Sequence, residues 1–407
     1  MYLSDLQFVE GDPVDSDLAD SDDSMSESED DTDSDESIDS SELEENGTDE
    51  NSSTENANND EDLLISAIEE RRNNIQNKLS PIKSDDLFID LSFHPSMDLI
   101  TVSCLSGNIE VYEYAIEENT LKGTIEAHTK ACRAVEFSED GTTIYSVGKD
   151  KNIVISDLET FDMKMYIDNA HHVALTTIIS PDENIISTGD EEGVIKIWDT
   201  RFSQTPTMKF HDLQDYVSCI TSKDSYKIAC TSGDGTLTSY DLRTKKRLQQ
   251  SAPFEADLTC CSSTHSDTMI VCGTMTGQFL FYKWSDFSDL AGTYKPPKKC
   301  SINSVLEVSD NIILSGMEDG QLRAFHFFPH KEIGIVGQHT LIIENLDISH
   351  DGKIVASLSP DPIIKFWDIS YLEGFLVSEV ERNRGHESKN LPSSEFDDRK
   401  SFFSDLS

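Results

Sequence analysis

The side chains of this chain best suited to chemistry are histidines that recur with serines and aspartates at matching separations. His128 stands ahead of Ser146 and Asp150, and His339 stands ahead of Ser357 and Asp361 at the same intervals. Imidazole with carboxylate could bind a metal or transfer protons as a general acid–base pair. Repetition argues against both uses, because an enzyme has no need for several copies of one site. The His171-His172 pair has neither a His at i+4 nor a His-x-x-Glu partner, so it forms no metal motif. Residues 141–149 end in Gly-Lys, yet six residues separate Gly141 from Gly148, and Asp150 stands where a phosphate loop needs Ser or Thr. The eight cysteines include no CxxC pair, and Cys260-Cys261 has no second pair at zinc-finger spacing. They read as structural thiols. No cofactor, metal or catalytic residue is expected.

The elements that carry these residues are repeats. SGNIEVYE, KDKNIVISD, DEEGVIKIWD, GDGTLTSYD, MTGQFLFYK, EDGQLRAFH and SPDPIIKFWD share a Gly/Asp turn followed by a strand that ends on an aromatic residue or its substitute. The aligned pivots are Tyr112, Ser156, Trp198, Tyr240, Tyr282, Phe325 and Trp367, separated by 44, 42, 42, 42, 43 and 42 residues. Each unit has room for four short strands, with period-two alternation bounded by Gly, Asp and Pro turns. One such sheet cannot bury both faces. Seven arranged radially bury one another and leave only short edges, which predicts an all-β, seven-bladed β-propeller. For the outer strand of the last blade, residues 375–380 have the right character. Residues 63–75 look more helical, so closure is expected from the C-terminal side.

Charge divides the chain further. Residues 1–70 contain 27 Asp and Glu and no Lys or Arg. A stretch such as residues 22–35 cannot bury enough apolar surface to offset chain entropy. This predicts a disordered acidic arm over residues 1–84, a propeller over 85–381 and a tail over 382–407. Removing the arm's 27 acids from the chain's 78 leaves 51 against 32 Lys and Arg, a net charge near −19. Direct nucleic-acid binding needs clustered positive charge, so basic proteins are the better partners. No secretory h-region follows Met1, and no apolar run is long enough to span a bilayer. A reducing compartment and no membrane partner are expected.

Period, turn and Trp-Asp ending resemble those of the WD-repeat family. The resemblance implies a hydrogen-bond chain of His, Ser or Thr, Asp and Trp within blades. His339, Ser357, Asp361 and Trp367 would supply it in blade 7. In blade 2, His128, Ser146 and Asp150 would do so, with Ser156 in place of the Trp. Blade 3 offers Trp198, with Glu192 at the acid position and His171 or His172 upstream; blades 1 and 5 lack both acid and His. Residues 130–141 (KACRAVEFSEDG), 188–201 (TGDEEGVIKIWDTR), 336–340 (VGQHT) and 401–406 (SFFSDL) are similar to one branch of the family. That likeness implies a non-enzymatic scaffold for protein–protein interaction. It would be nuclear and nucleolar, with some cytoplasmic presence, and support ribosomal RNA production and ribosome assembly.

Several residues could face partners. WDTR and YDLR place Arg201 and Arg243 two positions past the pivot Asp, a pattern similar to WD-repeat substrate receptors of cullin–RING ubiquitin ligases. There the resemblance implies docking to a ligase adaptor. A planar guanidinium suits such interfaces, although a solvated turn Arg is the plainer reading. Lys130, Arg133 and Lys149 put basic side chains near one end of the ring. Residues 243–247 and 295–299 are short basic clusters that could act as import signals. Ser24, Ser26 and Ser28 sit in an acid-directed kinase context, and Phe402, Phe403 and Leu406 form an apolar cluster in the tail. The chain is expected to act as a monomer among several ribosome-assembly proteins, or with a ligase adaptor.

Overall fold

The computed structural model describes residues 79–116, 118–201, 205–264, 266–328, 330–374 and 390–394. They form a seven-bladed β-propeller of four-stranded antiparallel sheets. In blade 3 the strands run outward from the axis as Leu175–Asp182, Ile185–Asp190, Ile195–Asp199 and Met208–Phe210. The other blades follow this plan, and the first strands of successive blades touch around a closed ring.

Each pivot lies on a third strand. Six of the seven face an Ile on the second strand: Tyr112 opposite Ile100, Ser156 opposite Ile144, Trp198 opposite Ile186, Tyr240 opposite Ile228, Tyr282 opposite Ile270 and Phe325 opposite Ile313. Trp367 faces Val355. A branched aliphatic beside a flat ring is the pairing that a pleated, half-covered surface favours. The buried apolar side chains gather into seven clusters, one at each seam between blades. Trp198, for instance, shares its cluster with Tyr145, Val147 and Ile155 of blade 2. The core is therefore distributed around the ring.

The expected closure from residues 375–380 is overturned. The fourth strand of blade 7 is Ile82–Lys83, with Ile82 opposite Ile364 and Lys83 opposite Ile363. Ile82 is buried with Leu79, Ile364 and Phe366, so a strand of two residues still contributes an apolar anchor. The C-terminal side is drawn elsewhere. After Asp368 the chain enters a 3-10 turn, Ser370–Gly374, whose Leu372 is buried in the blade 6–7 seam. Asn390 then pairs with Ile335 on the outer strand of blade 6, and Leu391 N–H donates to Ile335 O at 2.7 Å. Residues 375–380, the acidic arm before residue 79, and the Phe402, Phe403 and Leu406 cluster lie outside the described residues.

Candidate functional site

The recurring His–Ser–Asp sets are built into three blades. In blade 7, His339 Nε2 and Trp367 Nε1 both lie 2.7 Å from Ser357 Oγ, and His339 Nδ1 is 3.5 Å from Asp361 Oδ1. In blade 2, His128 meets Ser146 Oγ through Nε2 and Asp150 Oδ1 through Nδ1, each at 3.0 Å. Blade 3 carries the shortest His–Asp contact, His171 Nδ1 to Asp190 Oδ2 at 2.7 Å. There Thr188 Oγ1 lies 2.9 Å from both His171 Nε2 and Trp198 Nε1. The acid of blade 3 is thus Asp190, and the expectation of Glu192 is corrected. Asp190 sits at the end of its strand, where Oδ1 also accepts the N–H groups of Glu192 and Val194 and ties the turn together.

These sets have the elements of a hydrolase triad without access to a substrate. Ser146, Thr188 and Ser357 have no exposed surface. Burial pushes the Asp150 carboxyl up, but hydrogen bonding and charge from His128, with the N–H groups of Thr129 and Asn152, outweigh it and bring it down to about 2. Burial holds the His171 imidazole below its ordinary range, against the pull of Asp190. Each set joins a blade linker to a second strand and its turn, which is work on the fold. Among the described residues, no group of three or more His, Cys, Asp or Glu is placed to hold a metal ion. Seven of the eight cysteines are buried and all are free thiols.

Strand direction sorts the turns into two faces. Blade linkers and the turns between second and third strands lie at one end of the ring, here the upper face. Turns between first and second, and between third and fourth, lie at the lower face. At the upper end, six of the seven first strands carry a bulge at one place, so that Ile89, Arg133, Thr176, Ser218, Thr259 and Asn303 stand at the channel mouth. A bulge re-aims a side chain and loosens pairing. Arg133, Thr176, Tyr216, Ser218, Thr259 and Asn303 line a cavity of about 350 Å³ there. Arg133 pairs with Glu191 at 2.8 Å across the blade 2–3 seam. Exposed Leu87, Leu105, Met275 and Leu341 lie on the same upper face.

Deeper in the channel, first-strand acids join neighbouring blades. Asp347 of blade 7 accepts Phe93 N–H at 2.7 Å, Asp90 of blade 1 accepts Val135 N–H at 2.8 Å, and Glu136 of blade 2 accepts Ser180 N–H at 3.1 Å. Asn345 also donates to Asp90. Burial pushes these carboxyls up, Asp347 to about 6, Asp90 to about 7 and Glu136 to about 8. All three keep some surface open to the channel.

The sequence model of the WDR55 family matches residues 79–372, from just before the closing strand to the turn after blade 7. The chain belongs to the WDR55 family. It is 37% identical over 352 residues to the WD repeat-containing protein 55 homolog of Aedes aegypti, covering 85% of this chain and 74% of that protein. It is 35% identical over 351 residues to the homolog of Drosophila melanogaster, covering 84% and 68%. The homolog of Drosophila erecta is 36% identical over 331 residues, covering 80% and 66%.

On this WDR55-family ring the expected partner-facing residues divide between the faces. Lys130, Arg133 and Lys149 come together on the upper face of blade 2, where Lys149 N–H donates to Ala131 O at 2.9 Å. Arg201 and Arg243 lie on the lower face, at equivalent turns of blades 3 and 4. Arg201 forks onto Asp199, at 2.9 Å from Nε and 2.7 Å from Nη2. Arg243 stacks over Tyr226 with its guanidinium 4.3 Å from the ring centroid. Both side chains remain more than half exposed. Sequence reasoning missed Tyr216, the bulged residues other than Arg133, and the channel acids. The bulged positions recur 22 or 23 residues before six of the seven pivots, a signal that period counting could have exposed.

Proposed function

We propose that this WDR55-family chain is a non-catalytic scaffold whose upper face gathers proteins in the nucleolus for ribosomal RNA production and ribosome assembly. One observation carries the choice of face. Five bulges turn the polar side chains of Arg133, Thr176, Ser218, Thr259 and Asn303 toward one channel mouth, and exposed Leu87, Leu105, Met275 and Leu341 lie on the same face. Apolar residues among polar ones suit a protein interface. The hydroxyls that resemble a nucleophile are sealed, which supports binding over catalysis. The likeness of residues 130–141 and 188–201 to the WDR55 branch supports the nucleolar assignment.

The test is replacement of the cellular protein by Leu105→Asp/Leu341→Asp/Arg133→Glu, with pulse-labelling of ribosomal RNA and imaging of the tagged protein. Wild type is expected in nucleoli, and the variant is expected to lose associated proteins and slow precursor maturation. Full rescue by the variant would remove the upper face from the reading. Wild type absent from nucleoli would remove the compartment.

A second reading, a substrate receptor of a cullin–RING ubiquitin ligase, is favoured by one feature: Arg201 and Arg243 are exposed at the same register of adjacent blades. Arg201→Ala with Arg243→Ala should then abolish recovery of a ligase adaptor in affinity purification. Equal recovery of assembly factors by both forms would leave these arginines as surface residues held by Asp199 and Asp241.

A further inference from the structure

Between blades 1 and 2, the lower face opens into a cleft of about 880 Å³ that neither the sealed His–Ser–Asp sets nor the upper mouth uses. It is made by three turns and the strand residues beside them. Met97, Leu99, Val111, Leu158 and Phe161 give it an apolar floor. Phe161 holds a left-handed backbone with φ 59°, and its ring lies over Gly123, where a Cβ would come within 2.7 Å of Cδ2. At the inner rim, His94 Nε2 is 3.1 Å from Gly141 O and bridges the two blades.

This seam is also the one whose pivot has no ring. Ser156 replaces the aromatic residue of the other six blades, and its Oγ is buried without a partner. The seam cluster consists of aliphatic side chains with Phe137 and the partly buried Phe161, whereas the blade 2–3 and 6–7 seams each hold an indole from the pivot. A seam whose pivot supplies no ring and an apolar floor left open to water thus stand in one place.

The rim decides what fits. Asp98, Glu113, Asp140, Asp157 and Glu159 border the cleft. Lys122 is tied to Glu113 at 2.5 Å and Lys164 to Asp157 at 2.9 Å, while His350 lies 3.9 Å from Asp98. Asp98, Asp140 and Glu159 are exposed and face no lysine or arginine within ion-pair distance among the described residues. An acidic or nucleic-acid ligand would be repelled. We propose that this cleft docks a basic segment of a partner protein, with one bulky apolar side chain on the Met97–Phe161 floor and flanking Lys or Arg on the rim. The site goes beyond the upper-face reading and gives the ring a second, oppositely directed surface. Charge complementarity supplies selectivity and encounter rate, and the apolar anchor supplies residence.

The test uses the full chain and a short fluorescent peptide in which Arg and Lys flank one Leu, followed by anisotropy. Asp98→Lys with Glu159→Lys should weaken binding at least tenfold while leaving thermal unfolding unchanged. Changing the peptide's Leu to Ser should weaken binding to the wild-type protein to a similar degree. Raised salt should weaken the intact pair. Equal affinity for the charge-reversed protein would assign the peptide to another acidic part of the chain, such as residues 1–70, and overturn the proposal. Indifference to the Leu-to-Ser change in the peptide would overturn it too, and that arm needs no protein variant.

Discussion

Blades 2 and 3 stand side by side on one plan and differ most at the pivot, Ser156 in one and Trp198 in the other. In blade 3, Thr188 Oγ1 holds both the imidazole of His171 and the indole of Trp198. In blade 2, Ser146 Oγ holds His128 at 3.0 Å with no indole to receive, and both hydroxyls give the same 3.4 Å contact to a third-strand carbonyl, Val154 O or Lys196 O. The His–Asp half persists in both, at 3.0 Å in blade 2 and 2.7 Å in blade 3. Two jobs are therefore separable. The imidazole and carboxylate tie linker to turn, and the pivot ring fills the seam toward the preceding blade. Where the ring is absent, the tie survives and the seam has an open cleft at its lower end.

Replacing Trp198 with Ala should cost about 3–5 kcal/mol, because it removes a buried ring and leaves Thr188 and His171 in a cavity. Denaturant unfolding checks this, and a cost near that of a surface change would break the comparison. The closing strand comes next: Ile82→Ala should cost about 2–4 kcal/mol, whereas deleting residues 375–380 should leave the unfolding midpoint nearly in place. The reverse result would return closure to the C-terminal side.

Asp150→Asn sharpens the comparison through pH. The folded Asp150 carboxyl is held near 2, below its ordinary 3.8, so its stabilisation is present above that ordinary value and fades as pH falls through the window toward 2. Its loss should cost about 2 kcal/mol at neutral pH and flatten the acid limb of a stability–pH curve. The channel acids act with opposite sign. Asp347, Asp90 and Glu136 are raised from ordinary values of 3.8 and 4.5, so their contribution is greatest below those values, falls as pH rises from there, and levels off above about 6 to 8. Smallest of all, Ser156→Ala removes an unpartnered buried hydroxyl and should change stability by less than about 1 kcal/mol, in the favourable direction. A clear loss in the same unfolding assay would mean that this hydroxyl has a partner.

The seven pivots were legible because a 42- to 44-residue period is a local property that the chain repeats in full. The His–Ser–Asp sets of blades 2 and 7 were legible for the same reason. Blade 3 was misread at the acid because the count from its pivot points to Glu192, while Asp190 at the strand end is the side chain that reaches His171. The bulges escaped notice because an extra residue in a strand leaves its composition unchanged, and only its fixed distance from the pivot marks it.

By itself the sequence determined the number of blades, the pivot residues, the acidic balance of the whole and the family, since each is written in local pattern or in similarity along the chain. Only the tertiary structure decided which distant segment completes blade 7, which acid meets His171, and which basic residues share a face. Those outcomes depend on where separate blades come to rest around a closed ring. A contact such as Ile82 with Ile364, or Asp347 with Phe93, exists only once the ends of the propeller have met.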